Sequence, residues 1–300
     1  MAHVLQISRS GYYQWQTNKP ARRKIENHRL GLKIKEIYAQ SHCVYGSPKI
    51  TNELRLAGYC CSRPRTARIM REMGIRSVVR KKYKVTTESS HQYPVADNIL
   101  NRNFKVNRPN MVYVSDITYL PIYSDFYYLT VVMDLFNREP IGWSLSHTLE
   151  TRMTVIAALR MAFSKRRPEK SALFHSDRGI QYASSEFSTE ITRYDLTRSM
   201  SRKGNCWDNA VMENFFRNLK TEWLYRRSYR NNQELRQHLF YYLEVFYPRK
   251  RIHAALNYLT PAAYLEKYYE KQLRDLCVYF FLASSSCTVI FNGSGRPVIG

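Results

Sequence analysis

The sequence predicts an α/β fold, a mixed sheet with flanking helices, preceded by an all-α helix-turn-helix region. Three observations predict it. Between residues 111 and 227, strand-length and helix-length apolar runs follow one another in the order β-β-β-α-β-α-β-α. The segment before them, 21–75, carries helical periodicity broken by Ser/Pro starts and Gly stops. The basic excess is concentrated in that first part: 22 basic and 6 acidic residues in 1–110 leave +16, whereas 25 and 18 in 111–300 leave +7.

The first helix is ARRKIENHRLGLKIKEIYAQSH (21–42), with Ile25, Leu30, Leu32, Ile34, Ile37 and Tyr38 approximating one face and a basic outer side. In YGSPKITNELRLAGY (45–59), Ser47 reads as an N-cap, Pro48 as the first helical residue and Gly58 as the stop. SRPRTARIMREMGI (62–75) repeats that logic with Ser62, Pro64 and Gly74. Two short helices around a tight turn form a helix-turn-helix pattern. The second helix carries Arg63, Arg65, Arg68 and Arg71, and the last three follow at three-residue steps on one face. That face can enter a major groove and meet guanine edges or phosphates. The alternative is a small helical bundle with a solvated basic face. Residues 1–80 are therefore expected to form a DNA-binding region. Residues 81–110 lose periodicity and read as a basic linker whose cluster, Arg80 to Lys84, can track a phosphate backbone.

In the central segment, 111–123, 126–136 and 139–146 read as three hairpin-linked strands. Helix 151–166, strand 172–177, helix 186–195, strand 196–201 and helix 208–227 follow. This order suits an RNase H-like fold. Three acids occupy telling positions in it. Asp116 lies inside an otherwise apolar strand, Asp177 ends another, and Glu213 sits on the late helix. A carboxylate in a buried strand is costly unless paired or bound to metal. Three converging carboxylates can hold two Mg²⁺ ions about 3.5–4 Å apart for an in-line phosphodiester displacement. Lys220 follows Glu213 by two helical turns and can grip a phosphate beside them, while Asp208 is placed to cap the helix start. Each acid also has a plain reading: Asp116 bonded to backbone amides, Asp177 in a turn with Arg178 and Gly179, Glu213 paired with Arg217 at i+4.

The C-terminal segment 231–270 reads as a helical extension with a buried stripe at Leu235, Leu239, Tyr242, Leu243 and Phe246. A basic turn at Arg249 to Arg251 and a short helix after Thr260 and Pro261 complete it. His253 reads as a packing histidine or one near DNA, with a ligand role as the alternative. The uncharged run 276–291 is shorter than the roughly 20 residues that span a bilayer and reads as a buried hairpin or frayed tail.

The bulk numbers agree with a DNA partner. Among 300 residues, Lys plus Arg number 47 against 24 acids, a formal net charge of +23. Such an excess favours a polyanionic partner, nucleic acid first and an anionic membrane surface second. A hydrophobic fraction of 44% excludes general disorder. The six cysteines (Cys43, Cys60, Cys61, Cys206, Cys277, Cys287) form no C-x-x-C pair and have no His pair at zinc spacing. With no secretory signal they read as reduced cytoplasmic thiols.

The sequence resembles the integrase-like OrfB transposases of the insertion sequence three (IS-three) family, DDE enzymes related to retroviral integrases. SRSGYYQW (8–15), YGSPKIT (45–51), VSDITY (114–119), FYYLTVVMDLFNREPIGW (126–143), FHSDRGIQYAS (174–184), SMSRKGNCWDNAVMENFFRNLKTE (199–222) and RIHAALNYLTPAAY (251–264) carry the resemblance, in family order. It implies that Asp116, Asp177 and Glu213 are the catalytic triad and metal ligands, with Mg²⁺ (or Mn²⁺) as cofactor and Lys220 as the phosphate-contacting base. Arg178 and Lys203 join Lys220 and the four helix arginines as expected DNA contacts. Residues 111–230 would be the integrase-type catalytic core. The implied partners are terminal inverted repeats, target DNA, an OrfA protein or fusion, and further copies of the chain on DNA. The implied location is the cytoplasm of a bacterial-type cell. Tyr113 replaces the usual Trp, Pro248 replaces the usual Asn, and 271–300 has no counterpart in the family pattern and reads as translation past the usual stop. Two other readings remain: a non-catalytic, DNA-binding copy that represses transposition, and a structure-directed nuclease of the same fold.

Overall fold

Local chemistry sets the helix ends in the first part of the chain. The computed structural model describes residues 8–17, 22–78, 95–122, 125–285, 290–291 and 297–298. They divide into two units, Met1–Val79 and Arg80–Gly300. The first holds α1 (Arg9–Thr17), α2 (Arg22–Gln40), α3 (Ser47–Leu56) and α4 (Arg63–Glu72). Leu30, Ile34, Ile37, Ile50, Leu54, Ile69 and Met70 bury the apolar stripes of α2, α3 and α4 against one another. The two later helices stop in the same way. Gly58 and Gly74 take φ of +83° and +68°, which an L side chain resists. The amides of Tyr59 and Ile75 then donate back to the carbonyls of Leu54 and Met70. Ser62 caps α4, its Oγ accepting from the Arg65 amide at 3.4 Å. At α3 the cap is Gly46, not Ser47. Ser47 is already helical, and its carbonyl accepts from Thr51 Oγ1 at 2.7 Å.

In the second unit five strands form one sheet in the order β3-β2-β1-β4-β5: β1 (Val112–Ile122), β2 (Asp125–Asp134), β3 (Glu139–Ser146), β4 (Leu173–Ser176) and β5 (Thr197–Met200). The first three pair antiparallel, and β4 and β5 run parallel to β1. Alternation along β1 feeds two cores. Tyr113 joins Val132, Ile141, Phe174 and Phe187 under α5 (Ala157–Lys165), the short α6 (Ile180–Ala183) and α7 (Ser185–Arg193). Val114 and Leu120 join Leu129, Val131, Phe215, Trp223 and Phe246 under α8 (Ala210–Asn218) and α9 (Asn232–Phe240). Gly142 lets α5 touch the sheet, since a Cβ there would stand 2.3 Å from the Ala158 carbonyl oxygen. Tyr113, the departure from the family pattern, is fully buried with its ring edge-on to Phe163.

Three expectations need correction. Residues 97–106 do not run free as a linker. The Asp97 carbonyl accepts from the Met200 amide, and Leu100, Phe104 and Val106 pack into the core. The cluster Arg80 to Lys84 lies outside the described residues. Within the basic turn at Arg249 to Arg251, Arg251 points inward. It is 3% exposed, and its Nε and a terminal nitrogen each meet Glu222 at 2.7 Å. After α10 (Tyr247–Arg249), which ends the continuous helical run begun by α9 and carries Pro248 in its last turn, α11 runs unbroken from Pro261 to Ser285. No Gly or Pro follows Pro261 in that helix to stop it, so it is longer than the expected short helix, and 276–285, the first part of the run 276–291 read as a buried hairpin or frayed tail, is helical. Among the described residues no helix is long and apolar enough to cross a membrane.

Candidate active site

Sheet register brings the first two acids together. Val114 pairs with His175 across the parallel strands, and two residues further along each chain stand Asp116 and Asp177. Strand neighbours lie about 4.8 Å apart. Asp116 shares its face of β1 with Val114, the face that α8 covers, and Glu213 occupies the first turn of α8. The positive end of that helix favours a carboxylate there. Asp116 Oδ1 accepts from the Ile117 amide at 2.8 Å, and Asp177 Oδ1 accepts from the Gly179 amide at 2.9 Å.

The electrostatics of Asp116 link it to the other two acids and to Lys220. Burial holds the Asp116 carboxyl well above the ordinary range, and the charges of Asp177 and then Glu213 add to it. The Ile117 amide and Lys220 act in the opposite direction. Burial pulls the Lys220 ammonium down to about 8, and the nearby Asp116 charge resists that fall. Among the described residues no three acidic, histidine or cysteine side chains form a ready metal cage. The donor chemistry nonetheless fits a hard divalent cation, being three carboxylates, two of which raise the cost of charging Asp116, with no thiolate or imidazole among them.

The remaining expected contacts are spread over both units. In the second unit, Arg178 donates from Nε to the Ser201 carbonyl at 2.6 Å and so joins the Asp177 turn to the loop before α8. Lys203 is exposed on that loop beside Gly204, which takes φ of +69°. In the first unit, Arg63, Arg68 and Arg71 are exposed on α4. Arg65 is engaged within the unit, reaching Asn27 Oδ1 at 2.9 Å and Glu26 Oε2 at 3.2 Å. His253 packs its ring against Tyr247 with centroids 4.7 Å apart.

Sequence reasoning missed what Asp208 does. It does not cap α8; Asn209 occupies the cap position, without a side-chain cap bond. Asp208 is fully buried and accepts from the Arg202 amide, the Arg202 and Arg102 guanidiniums, and Asn98 Nδ2, all within 3.0 Å. These partners hold its carboxyl well below the usual range, the Arg202 hydrogen bond most of all. Asn209 Nδ2 in turn donates to the Ser115 carbonyl at 3.2 Å, fastening the root of α8 next to Asp116. Arg202, six residues upstream, was a legible clue. Arg102 was not.

A protein with this sheet, these three acids and a helical unit ahead of them is of the integrase-core class. Integrase core domain models match residues 106–206 and 194–261, and an HTH-like domain model matches 24–83. A Shigella sonnei protein named insertion element IS600 uncharacterized 31 kDa protein is 37% identical over 270 residues, covering 90% of this chain and 99% of that one. Transposase InsF for insertion sequence IS3A of Escherichia coli (strain K12) is 34% identical over 270 residues, covering 89% and 93%. Among solved structures, the HTLV-2 integrase catalytic core domain in complex with magnesium is 18% identical over 51% of this chain and 94% of that chain, at a TM-score of 0.38. The chain belongs to the IS3 family of insertion-sequence transposases.

Proposed function

We propose that this chain is a DDE-type DNA strand transferase that nicks insertion-sequence ends and joins the freed 3′-hydroxyl to target DNA. The observation that carries this reading is the coupling of Asp116 to Asp177 and Glu213 beside Lys220. The charges of Asp177 and Glu213 both raise the proton affinity of Asp116, and the cation that opposes them there is Lys220. Asp116, Asp177 and Glu213 would hold Mg²⁺ (or Mn²⁺), which supplies nucleophile activation and charge neutralisation at the phosphate. The Asp116 and Asp177 carboxylates keep one oxygen each on a backbone amide, which fixes their orientation. Lys220 holds a scissile-strand phosphate next to them. In this reading α4 brings Arg63, Arg68 and Arg71 to terminal-repeat DNA, and Arg178 and Lys203 meet the strand near the acids. Residues 111–230 act as the catalytic core, 231–270 as its helical extension and 271–300 as a tail outside it. The protein works in the cytoplasm on nucleoid DNA, as a multimer and with an OrfA portion as partner or fusion.

The test is a labelled duplex of the element end incubated with a target plasmid, in Mg²⁺ or EDTA, with the wild type or Glu213→Gln. Metal-dependent nicking and joining that the variant loses is the expected result. Nicking without joining would point to a nuclease. Binding without cleavage, also after fusion to the upstream frame, would point to an inactive DNA-binding copy.

A further inference from the structure

Trp207 stands out among the tryptophans of the second unit. Trp143 and Trp223 are buried, whereas the Trp207 indole is 68% exposed. It stands on the loop between β5 and α8, which is braced along its length. The Ser201 amide donates to the Ser176 carbonyl, Arg178 holds the Ser201 carbonyl, and the buried Asp208 hub follows Trp207 directly. An exposed aromatic ring on a fastened loop loses little freedom when something stacks on it. The loop is also basic: Arg202 and Lys203 are exposed five and four residues before it. Two residues after Trp207, Asn209 reaches the carbonyl of Ser115, the neighbour of Asp116.

We propose that Trp207 is a base-stacking platform for an unpaired nucleotide flanking the phosphate held at Asp116, Asp177 and Glu213. This deepens the strand-transfer reading above and rests on it. A flat apolar ring beside cationic side chains fits a nucleobase joined to phosphate, because every base offers a π face and its backbone carries charge. A base inside a duplex is already stacked on both faces, so the one that meets Trp207 has left the helix. The energy regained by stacking on the indole offsets part of the cost of unpairing. Lys203 lies on the same loop to meet the adjoining phosphate.

The test uses a forked DNA duplex whose single-stranded arm carries one 5-iodouracil, moved position by position, with the full chain in EDTA. Photocross-linking followed by mass spectrometry maps the contact, and fluorescence anisotropy measures binding. The expected cross-link falls on the peptide containing Trp207, at one or two arm positions next to the fork. Trp207→Ala loses it and binds the fork roughly 5- to 150-fold more weakly, with a smaller change for fully paired DNA. Trp207→Phe keeps most of the binding. Thermal unfolding of the alanine variant should match the wild type, because the ring is exposed. If the wild type binds the fork but cross-links outside 201–209, or the alanine variant binds as tightly, the platform is overturned while the strand-transfer reading stands. If the wild type binds no DNA, both fall.

Discussion

Five residues separate Asp208 from Glu213, yet the two carboxylates live in opposite electrostatic settings. Asp208 is wrapped by Arg202, Arg102 and Asn98, and its proton affinity falls. Glu213 acts with Asp177 on Asp116, whose proton affinity rises. Glu222, further along, resembles Asp208: Arg251 grips both its oxygens in a buried pair. The chain therefore grips Asp208 and Glu222 with arginine, whereas Asp116 is left to the repulsion of two further acids, opposed by Lys220 and the Ile117 amide. That repulsion costs stability and is kept where a cation can relieve it.

Mutating each kind of acid should separate the two settings. The largest effect on folding is expected at the fully buried pair. Arg251→Met takes from the buried Glu222 the guanidinium that meets both its oxygens, and chemical denaturation should show a loss of about 3–5 kcal/mol. Adding Glu222→Leu to it should recover much of that loss. Glu213→Gln should do the reverse. It should lower metal-dependent strand cleavage about 10²- to 10³-fold, the scale of losing one group aimed at reacting charge, while leaving the unfolding midpoint unchanged or higher. Asp208→Asn should destabilise less than Arg251→Met, because Arg202 and Arg102 are about half exposed (49% and 43%) and regain water.

The pH dependence of stability should divide along the same line and be the smallest effect. Asp208 has its folded pKa depressed, so its contribution is present above the ordinary carboxylate pKa and fades as pH falls below it. Asp134 is buried and pushed up to about 6, burial being the main cause. Between the ordinary value of 3.8 and about 6 the folded state holds a proton that the unfolded state has lost, so stability falls as pH rises through that window. Asp134→Asn should flatten that stretch, and Asp208→Asn should flatten the acid-side slope. Melting curves across pH would read both.

The sequence showed the elements that local pattern determines. The strands around Asp116 alternate or run apolar, Ser62 and Gly74 bound α4, and the stripe from Leu235 to Phe246 is buried as its periodicity implies. The acids stand out in the sequence because Asp116 contradicts its apolar strand and Asp177 falls at a strand end, just past β4. Pairings across the chain left no local trace. Arg102 meets Asp208 from 106 residues away, and Arg251 meets Glu222 from 29. Each read as an ordinary basic residue, because periodicity reports a residue's face and not its partner. The helix expected over 208–227 is another case. It changes to π geometry at Leu219–Trp223, which tertiary packing imposes and composition does not announce.

The claim that the three acids are reserved for a cation is tested most directly by thermal unfolding of wild type and Asp116→Asn, each with and without Mg²⁺. The account predicts that Mg²⁺ raises the wild-type midpoint. It also predicts that Asp116→Asn raises the metal-free midpoint and abolishes the response to Mg²⁺. A wild type indifferent to Mg²⁺, together with an Asp116→Asn variant that melts lower, would show Asp116 to be a structural acid like Asp208 and would contradict the account.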